Sequence, residues 1–332
     1  VDIFFVISGF LITSLILKDI SLNRFSVLNF YERRARRLLP ALFLVCIVSL
    51  PLGWLVLLPS DLTEFGKSII TTLTFSSNFL FWQQAGYFDV ESDLKPLLHT
   101  WSLAVEEQFY ILYPVFLILF WKFGLKRVLS LLIIIFLISF IVSNWAAFNK
   151  PAANFYLLPT RGWEILAGAI PVFILKIYPR FFKSHTINSI FSFTGFVLII
   201  ASFVYFSPVT LTPSFKTLPL ILGTVLILIF YDKSSPLSKF LSLKPIVFIG
   251  LISYSWYLWH LPVLAFAKNY SLTGISNLSI VLLIILSFVL ACFSWKFVEK
   301  PIRDGILSKK NFILTISTLS LSIIIFSFFL IF

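Results

Sequence analysis

Residues 128–148 of the chain read VLSLLIIIFLISFIVSNWAAF, an apolar stretch without a single charged side chain. A helix of about 20 apolar residues is long enough to cross the hydrocarbon core of a bilayer. The stretch therefore predicts a membrane-spanning helix, and similar runs recur along the whole sequence.

The composition extends this prediction to the whole chain. Hydrophobic residues make up 59% of the 332 residues and charged residues 12%, and the mean hydropathy is +1.00. A soluble domain has about 45–50% apolar and about 25% charged residues, and it lacks the interior to bury so much apolar side chain. A net charge of +12 would also suit a nucleic-acid binder. However, the basic residues lie in short clusters between apolar runs, which is typical of a membrane protein.

Charge decides which of the apolar runs cross. If the short, Ser- and Thr-rich third run lies in the interface or re-enters the membrane, 20 of the 26 Lys and Arg residues fall on one side. Basic loops stay in the cytoplasm, so we predict an all-α, polytopic transmembrane bundle of about ten spanning helices plus one interfacial or re-entrant segment. Loop 18–37 would be cytoplasmic and loop 59–104 extracytoplasmic. The runs are 3–17, 38–58, 68–82, 105–121, 128–148, 162–177, 187–206, 217–231, 246–267, 278–295 and 312–332.

A basic segment, ERRARRLLP at 32–40, precedes the second run. The planar guanidinium of arginine forks onto phosphate oxygens. On a helix, Arg37 shares a face with both Arg33 and Arg34. These three arginines are therefore candidates to hold the phosphates of a ligand. A stop-transfer segment that binds anionic lipid headgroups is the alternative interpretation.

Polar residues also lead into the fourth run, in LLHTWSLAVEEQFY at 97–110. A helix cap formed by Thr100 or Ser102 would account for one carboxylate but not for two. Ionisable groups at a membrane boundary are costly and by default indicate function, and a histidine there can act as a base. The candidates are His99, Glu106 and Glu107 for catalysis, and Trp101 and Tyr110 for substrate binding.

Further polar side chains interrupt the later runs, in RGWE at 161–164 and ISYSWYLWHLP at 252–262. They either pair within the protein or line an outer substrate cavity, and a hydrogen-bonded interior histidine is the alternative for the second segment. No metal-ligand spacing occurs, so no metal site is predicted. The candidate substrate-binding residues are Asp2, Arg161, Glu164, Tyr257, Trp259 and His260.

Six motifs in this order resemble the acyltransferase-3 family of bacterial membrane O-acyltransferases, especially the O-antigen acetylase type. They are DIFFVISGFL at 2–11, the segments 30–40, 99–110, 161–168 and 254–262, and FVEKPIR at 297–303. The resemblance implies a membrane acyltransferase core over 1–310 with its first helix missing. It also implies that 311–332 is a linking transmembrane helix, which in many members leads to an extracytoplasmic SGNH-type domain. The family's essential Arg and His belong to that first helix, so the resemblance makes that His the base, with His99 as the alternative, and we expect this chain by itself to be inactive.

The resemblance also implies a reaction in the bacterial inner membrane. The acyl group, expected to be acetyl, would pass from cytoplasmic acetyl-CoA to a hydroxyl of a surface glycan or lipid-linked oligosaccharide such as lipopolysaccharide O-antigen. No bound cofactor and no nucleic-acid partner are expected, and Arg33, Arg34 and Arg37 would hold the acetyl-CoA. A glycan or lipid flippase without chemistry, and a membrane sensor or scaffold, are the alternatives. Transporters often contain internal repeats, and the sequence shows none.

Overall fold

The regular structure of the chain is helical. The computed structural model describes residues 1–85, 92–179, 184–207, 210–271 and 274–331. Arg180 and Lys183, which entered the charge argument, lie outside the described residues. The helices are α1 (Asp2–Ser21), α2 (Val27–Val56), α3 (Pro59–Leu73), α4 (Ser77–Gln84), α5 (Thr100–Trp121), α6 (Leu125–Asn149), α7 (Pro151–Tyr156), α8 (Leu158–Ile177), α9 (His185–Tyr205), α10 (Leu218–Ile229), α11 (Pro236–Leu241), α12 (Lys244–Tyr270), α13 (Asn277–Ser294), α14 (Lys300–Arg303) and α15 (Lys309–Ile331).

Nine helical segments of the described residues are long and apolar enough to cross a membrane, judged by length and composition. A shorter apolar helix, Phe215–Ile229, corresponds to the remaining predicted span. Large apolar side chains such as Leu282 and Ile285 are more than half exposed, an arrangement that water would penalise and lipid would not. The predicted all-α polytopic membrane fold is confirmed.

The start of α2 corrects one prediction. Residues 18–37 do not form a loop, because α1 extends to Ser21 and α2 begins at Val27. The side chain of Ser26 accepts a hydrogen bond from the backbone N–H of Asn29 and so caps α2. The basic segment is therefore helical. Hydropathy detects only the apolar part of a helix. The charged first turns of α2 were therefore not recognised as helical from the apolar run alone.

The third apolar run corrects another prediction. Residues 59–104 are not one loop, since α3 and α4 occupy 59–84. The run 68–82 is broken near Phe75, whose φ of 52° lies in the left-handed region. Neither helix qualifies as a span. A proline at the first position of α3 starts that helix, as is common at helix N-termini.

The chain forms two compact units, one made of Val1–Phe25 with Val105–Lys244 and the other of Ser26–Ala104 with Pro245–Phe332. In the first unit, α1 and α8 cross at two glycines. A Cβ atom on Gly9 would lie 1.9 Å from the carbonyl oxygen of Ile165, and one on Gly168 would lie 1.8 Å from that of Val6. Only glycine permits so close a crossing, as in many membrane helix pairs.

In the second unit, α15 packs against α2 and α3, and α12 is joined to α13. The indole N–H of Trp256 donates to Ser287 Oγ at 3.0 Å, and that of Trp259 donates to Ser294 Oγ at 2.6 Å. α13 then continues through a π-helical turn, Trp295–Glu299. This pairing fixes the face that α12 presents to the candidate site.

Candidate functional site

The most unusual polar group of the second unit is His99, which is only 6% exposed. Its ring centroid lies 5.1 Å from that of Tyr257 and 5.3 Å from that of His260. Neither ring nitrogen of His99 makes a well-aligned hydrogen bond to a described residue, although the backbone carbonyl of Leu258 is close enough to influence the ring. Buried polar groups are almost always hydrogen-bonded, so this imidazole is positioned for a partner outside the protein chain.

Hydrogen bonds hold the surroundings of this imidazole in place. The hydroxyl of Tyr257 donates to the backbone carbonyl of His99 at 2.7 Å, and Ser102 Oγ lies 2.6 Å from the same hydroxyl. Nδ1 of His260 donates to the carbonyl of Tyr257 at 2.5 Å, which leaves the lone pair of a neutral His260 on Nε2. The two rings are thus oriented while the nitrogens of His99 stay open.

Burial lowers the pKa of the His99 imidazole well below its usual range. Nearby His260 lowers this pKa further, and the carbonyl of Leu258 opposes the shift with a smaller effect. A low pKa keeps His99 neutral at physiological pH, which is the form that accepts a proton. The chemistry available to the group is therefore that of a general base.

The broken third run supports the residue that follows His99. Thr100 Oγ1 lies 2.9 Å from Thr72 Oγ1 and donates to Ser77 Oγ at 3.1 Å, and it also lies 2.7 Å from the carbonyl of Leu97. Thr72 belongs to the end of α3 and Ser77 to the start of α4. The interruption of this run thus brings two hydroxyls to the start of α5, and Thr100 does not serve as a cap.

The predicted arginines occupy the first turns of α2. Arg33 and Arg37 are exposed one turn apart, and Arg34 lies with its guanidinium carbon 5.9 Å from the ring centroid of Phe30. Arg36 differs from them, because it pairs with Glu32 at 3.0 Å and donates to the carbonyl of Leu307 at 3.0 Å. Arg36 is thus held by contacts with Glu32 and Leu307, whereas Arg33 and Arg37 are exposed and Arg34 is half-buried.

Sequence reasoning missed Glu299, although it lies in the FVEKPIR motif. This carboxylate is 2% exposed and accepts a hydrogen bond from Ser255 Oγ at 2.8 Å and one from Arg303 at 3.3 Å. It also interacts electrostatically with Arg37. A buried carboxylate at the end of a long apolar run was the available signal.

The remaining candidates of the second unit, Trp101 and Trp259, are both about 95% buried. Their rings are packed within the protein, and Trp259 is held through its indole N–H. Their predicted role in stacking on sugar rings is not tested by this geometry. His260 is half-buried, and α12 continues without interruption through Pro262.

The first unit holds a separate group of charges. Nη1 of the buried Arg161 lies 3.0 Å from Asp2 and 3.1 Å from Glu164, and its Nε donates to the carbonyl of Phe155 at 3.0 Å. These three predicted substrate-binding residues thus pair with one another. Their role toward a substrate stays a prediction.

The other candidates of the first unit lie on α5. Glu107 is buried and Glu106 half-buried, and the hydroxyl of buried Tyr110 is hydrogen-bonded to that of Ser8. The catalytic role predicted for the two glutamates stays untested. No group of three or more metal-ligating side chains occurs within the described ranges.

A surface ion pair was also missed by sequence reasoning. His185 Nδ1 lies 2.8 Å from Asp232 Oδ2, although the His185 side chain is 82% exposed. The backbone N–H of Ser234, together with His185, lowers the pKa of Asp232 to about 2. The pair joins the first residue of α9 to the segment after α10, and its 47-residue separation gives no local sequence signal.

Comparisons with known proteins bear on this site. Residues 1–296 match the family model described as "Acyltransferase domain" of the acyltransferase-3 type. The chain is 34% identical over 327 residues to "O-acetyltransferase OatA" of Staphylococcus aureus (strain NCTC 8325 / PS 47), covering 91% of this chain and 52% of that protein. It is 31% identical over 322 residues to "Peptidoglycan O-acetyltransferase OatA" of Listeria monocytogenes, covering 92% and 51%. The chain spans about half the length of these curated relatives. No solved structure matches the chain.

Proposed function

The chain belongs to the acyltransferase-3 family, and on that premise we propose that it forms the membrane part of an O-acetyltransferase. The donor is acetyl-CoA on the cytoplasmic side, and the acceptor is a hydroxyl of a cell-wall glycan. The name of the Listeria relative favours peptidoglycan over lipopolysaccharide as the acceptor. A flippase without chemistry has no comparable support, because the relatives are named as transferases.

One observation carries this proposal: α12 touches both the arginine segment and the buried histidine. The hydroxyl of Tyr254 on α12 donates to the carbonyl of Leu38, next to Arg37, at 2.8 Å, and the neighbouring Ser255 holds Glu299. Five residues further along the same helix, His260 lies against His99. Five residues correspond to about 7.5 Å along the axis of an α-helix. This step separates Ser255 from His260, so a pantetheine arm laid along α12 would lead from the side of the arginine segment towards His99.

The reaction follows from these positions. Arg33, Arg34 and Arg37 bind the phosphates of the donor through charge-assisted hydrogen bonds. Neutral His99 takes the proton from an acceptor hydroxyl, and the oxygen attacks the thioester carbonyl. The tetrahedral intermediate collapses, the C–S bond breaks, and the imidazolium returns its proton to the CoA thiolate. The products are an acetylated glycan and CoA. Glu106 and Glu107 remain candidates for catalysis, as predicted from the sequence.

The charge distribution supports the sidedness of this reaction. The basic clusters around 18–37 and in the later loops favour a cytoplasmic location for the arginine segment. The same rule assigns 59–104 to the extracytoplasmic side of the bacterial cytoplasmic membrane. A donor site inside and an acceptor site outside is the arrangement that acetylation of a wall glycan requires.

The direct test is acetyl transfer from labelled acetyl-CoA to peptidoglycan strands by membranes that contain the protein in its natural full-length form. His99→Gln is expected to lower transfer by at least about 100-fold, the usual contribution of a general base. Binding of acetyl-CoA should be retained. The matched control is His185→Gln, since His185 is exposed at the start of α9 and its replacement should leave transfer unchanged.

Two results would overturn the proposal. One is transfer at the unaltered rate by the His99→Gln protein, which would remove His99 from the chemistry. The other is glycan movement across the membrane without any label on the glycan, which would establish the flippase instead.

A further inference from the structure

A cavity of about 220 Å³ opens in the second unit between α3, α4, the end of α12 and the segment before α5. Its floor is apolar and includes the buried rings of Phe65 and Phe81. Its walls are polar and include Asp61, Glu64 and Asn269. None of these residues belongs to the motifs that pointed to the reaction.

A chain of hydrogen bonds builds one wall of this cavity. Lys67 Nζ donates to Glu64 at 2.6 Å, Gln84 donates to the other oxygen of Glu64, and Lys95 Nζ donates to Gln84 Oε1 at 3.2 Å. The chain joins α3, α4 and the segment that leads to His99. It satisfies the carboxylate of Glu64, so this side of the cavity is a fixed frame.

Two hydrogen-bond acceptors that line the cavity, the carboxylate of Asp61 and the amide oxygen of Asn269, take no part in these hydrogen bonds. Asp61 makes no hydrogen bond or ion pair with the described residues. Asn269 uses its Nδ2 to donate to the carbonyls of Leu94 at 2.9 Å and Ala265 at 2.8 Å. Its Oδ1 then points its lone pairs away from those bonds, and no described residue donates to it. A carboxylate and an amide oxygen above an apolar floor match the hydroxyls and the apolar face of a sugar ring.

The size and position of the cavity define which sugar ring it can take. Pockets for drug-sized ligands have about 300–1,000 Å³, so this smaller cavity suits one ring. Asn269 lies nine residues beyond His260 on α12, which corresponds to about 13 Å along the helix. A ring bound there would not be the ring that reacts.

We infer that the cavity bounded by Asp61, Phe65, Phe81 and Asn269 is a remote subsite for one N-acetylated sugar ring of the acceptor glycan, a few rings away from the hydroxyl that is acetylated. This inference rests on the proposed function for the identity of the acceptor. Binding energy gained at a remote ring lets an enzyme position the reacting one, so polymeric acceptors are preferred to single sugars.

The test measures binding and transfer separately. The purified full-length protein in detergent is titrated calorimetrically with a β-linked N-acetylglucosamine tetramer and with the monomer, and acetyl transfer to both is measured in parallel. The tetramer should bind more tightly than the monomer. Asp61→Ala and the size-conserving Asp61→Asn should weaken tetramer binding about tenfold, the size of one hydrogen bond to a charged group, and leave acetyl transfer to the monomer unaffected.

The matched control is Asp93→Asn. Asp93 is an exposed carboxylate that pairs with Lys268 at 2.5 Å and does not line the cavity, so its loss should not change tetramer binding. Equal affinity for tetramer and monomer, or tetramer affinity unchanged in both Asp61 variants, would overturn the subsite. So would loss of tetramer binding when the protein is moved from detergent into phosphatidylcholine nanodiscs, because a lipid would then occupy the cavity. Asp61-dependent tetramer binding without any transfer would instead support the subsite and contradict the proposed function.

Discussion

Nη1 of Arg161 lies 3.0 Å from Oδ1 of Asp2, although 159 residues separate the two in the sequence. The same guanidinium nitrogen contacts Glu164, whose side chain is fully buried. One arginine therefore compensates two carboxylates, and it ties the beginning of α1 to α8. Removing one member of a buried charge group leaves the others without compensation, which is more costly than losing an exposed pair.

Arg161→Ala is therefore expected to destabilise the protein by about 3–5 kcal/mol. The measurement is denaturant or thermal unfolding of the detergent-solubilised protein. Lys268→Ala provides the comparison, since Lys268 forms an exposed pair with Asp93 at 2.5 Å. Exposed pairs contribute about 0–1 kcal/mol. Equal losses for the two variants would contradict the account of the buried group.

The glycine crossing of α1 and α8 makes a second prediction. Gly168→Ala would place a Cβ atom 1.8 Å from the carbonyl oxygen of Val6 and 2.9 Å from the backbone nitrogen of Phe10. Backbone atoms cannot move aside as the end of a side chain can, so the helices must separate. We expect a loss of at least about 2 kcal/mol in unfolding free energy, within the range for overpacked cores.

The control for this substitution is Gly250→Ala in α12. A Cβ atom there would meet nothing within 4 Å. Alanine is favoured over glycine in a helix by about 1 kcal/mol, so this variant should be neutral or slightly more stable. A stability of Gly168→Ala equal to that of Gly250→Ala would show that the crossing is looser than described.

Two matched substitutions can separate the ligand-binding role proposed for Arg37 from the structural role of Arg36. Arg37→Lys removes the fork from an exposed side chain and should weaken acetyl-CoA binding about tenfold, with no change in melting temperature. Arg36→Lys should do the reverse, because Arg36 holds Glu32 and the carbonyl of Leu307 and packs 4.5 Å from the ring of Phe312. Binding of labelled acetyl-CoA and thermal unfolding measure the two effects. If both variants weaken binding equally, the proposed division of roles is wrong.

The lowered pKa of His99 predicts a pH dependence of stability. The pKa of His99 in the folded protein lies below the ordinary histidine pKa of about 6.5, so under that pH the unfolded chain binds a proton that the folded chain does not. Stability should therefore decrease as the pH falls from about 6.5, by up to about 1.4 kcal/mol per pH unit. Unfolding curves between pH 7.5 and 5 should show this slope, and His99→Gln should reduce it. An unchanged slope in that variant, with His185→Gln as the comparison, would contradict the assignment.

Much of the fold could be predicted from the sequence, because a helix that crosses lipid needs one continuous apolar run and such a run is visible locally. The charge-free stretch 128–148 lies within α6, and the other predicted spans likewise coincide with apolar helices. The break near Phe75 could not be predicted in detail. Its cause is a local competition, in which the backbone N–H of Ser76 bonds to the carbonyl of Thr71 and the hydroxyl of Thr74 bonds to that of Ile70.

The candidate site was predicted less completely, for a different physical reason. His99 stood out because a polar residue at a membrane boundary is locally conspicuous. The bond between Ser255 and Glu299 joins residues 44 positions apart, and the cavity joins Asp61 to Asn269. Neither relationship leaves a pattern in neighbouring residues, so both required the packing of α12 to be known.

The π-helical turn at Trp295–Glu299 has a consequence for insertions and deletions. A turn closed between residues five apart returns Glu299 to the face of Ser294, so that both side chains reach α12. If the same residues formed an ordinary α-helical turn, the part of the helix that follows would be rotated by about 100°. Deletion of a single residue from this turn would let it close as an α-helical turn, with the Glu299 carboxylate four positions after Ser294 and still directed at Ser255, whereas insertion of a residue would turn it away. The faces that this helix presents to α12 therefore depend on the exact number of residues in the turn, and not only on the length of its apolar stretch.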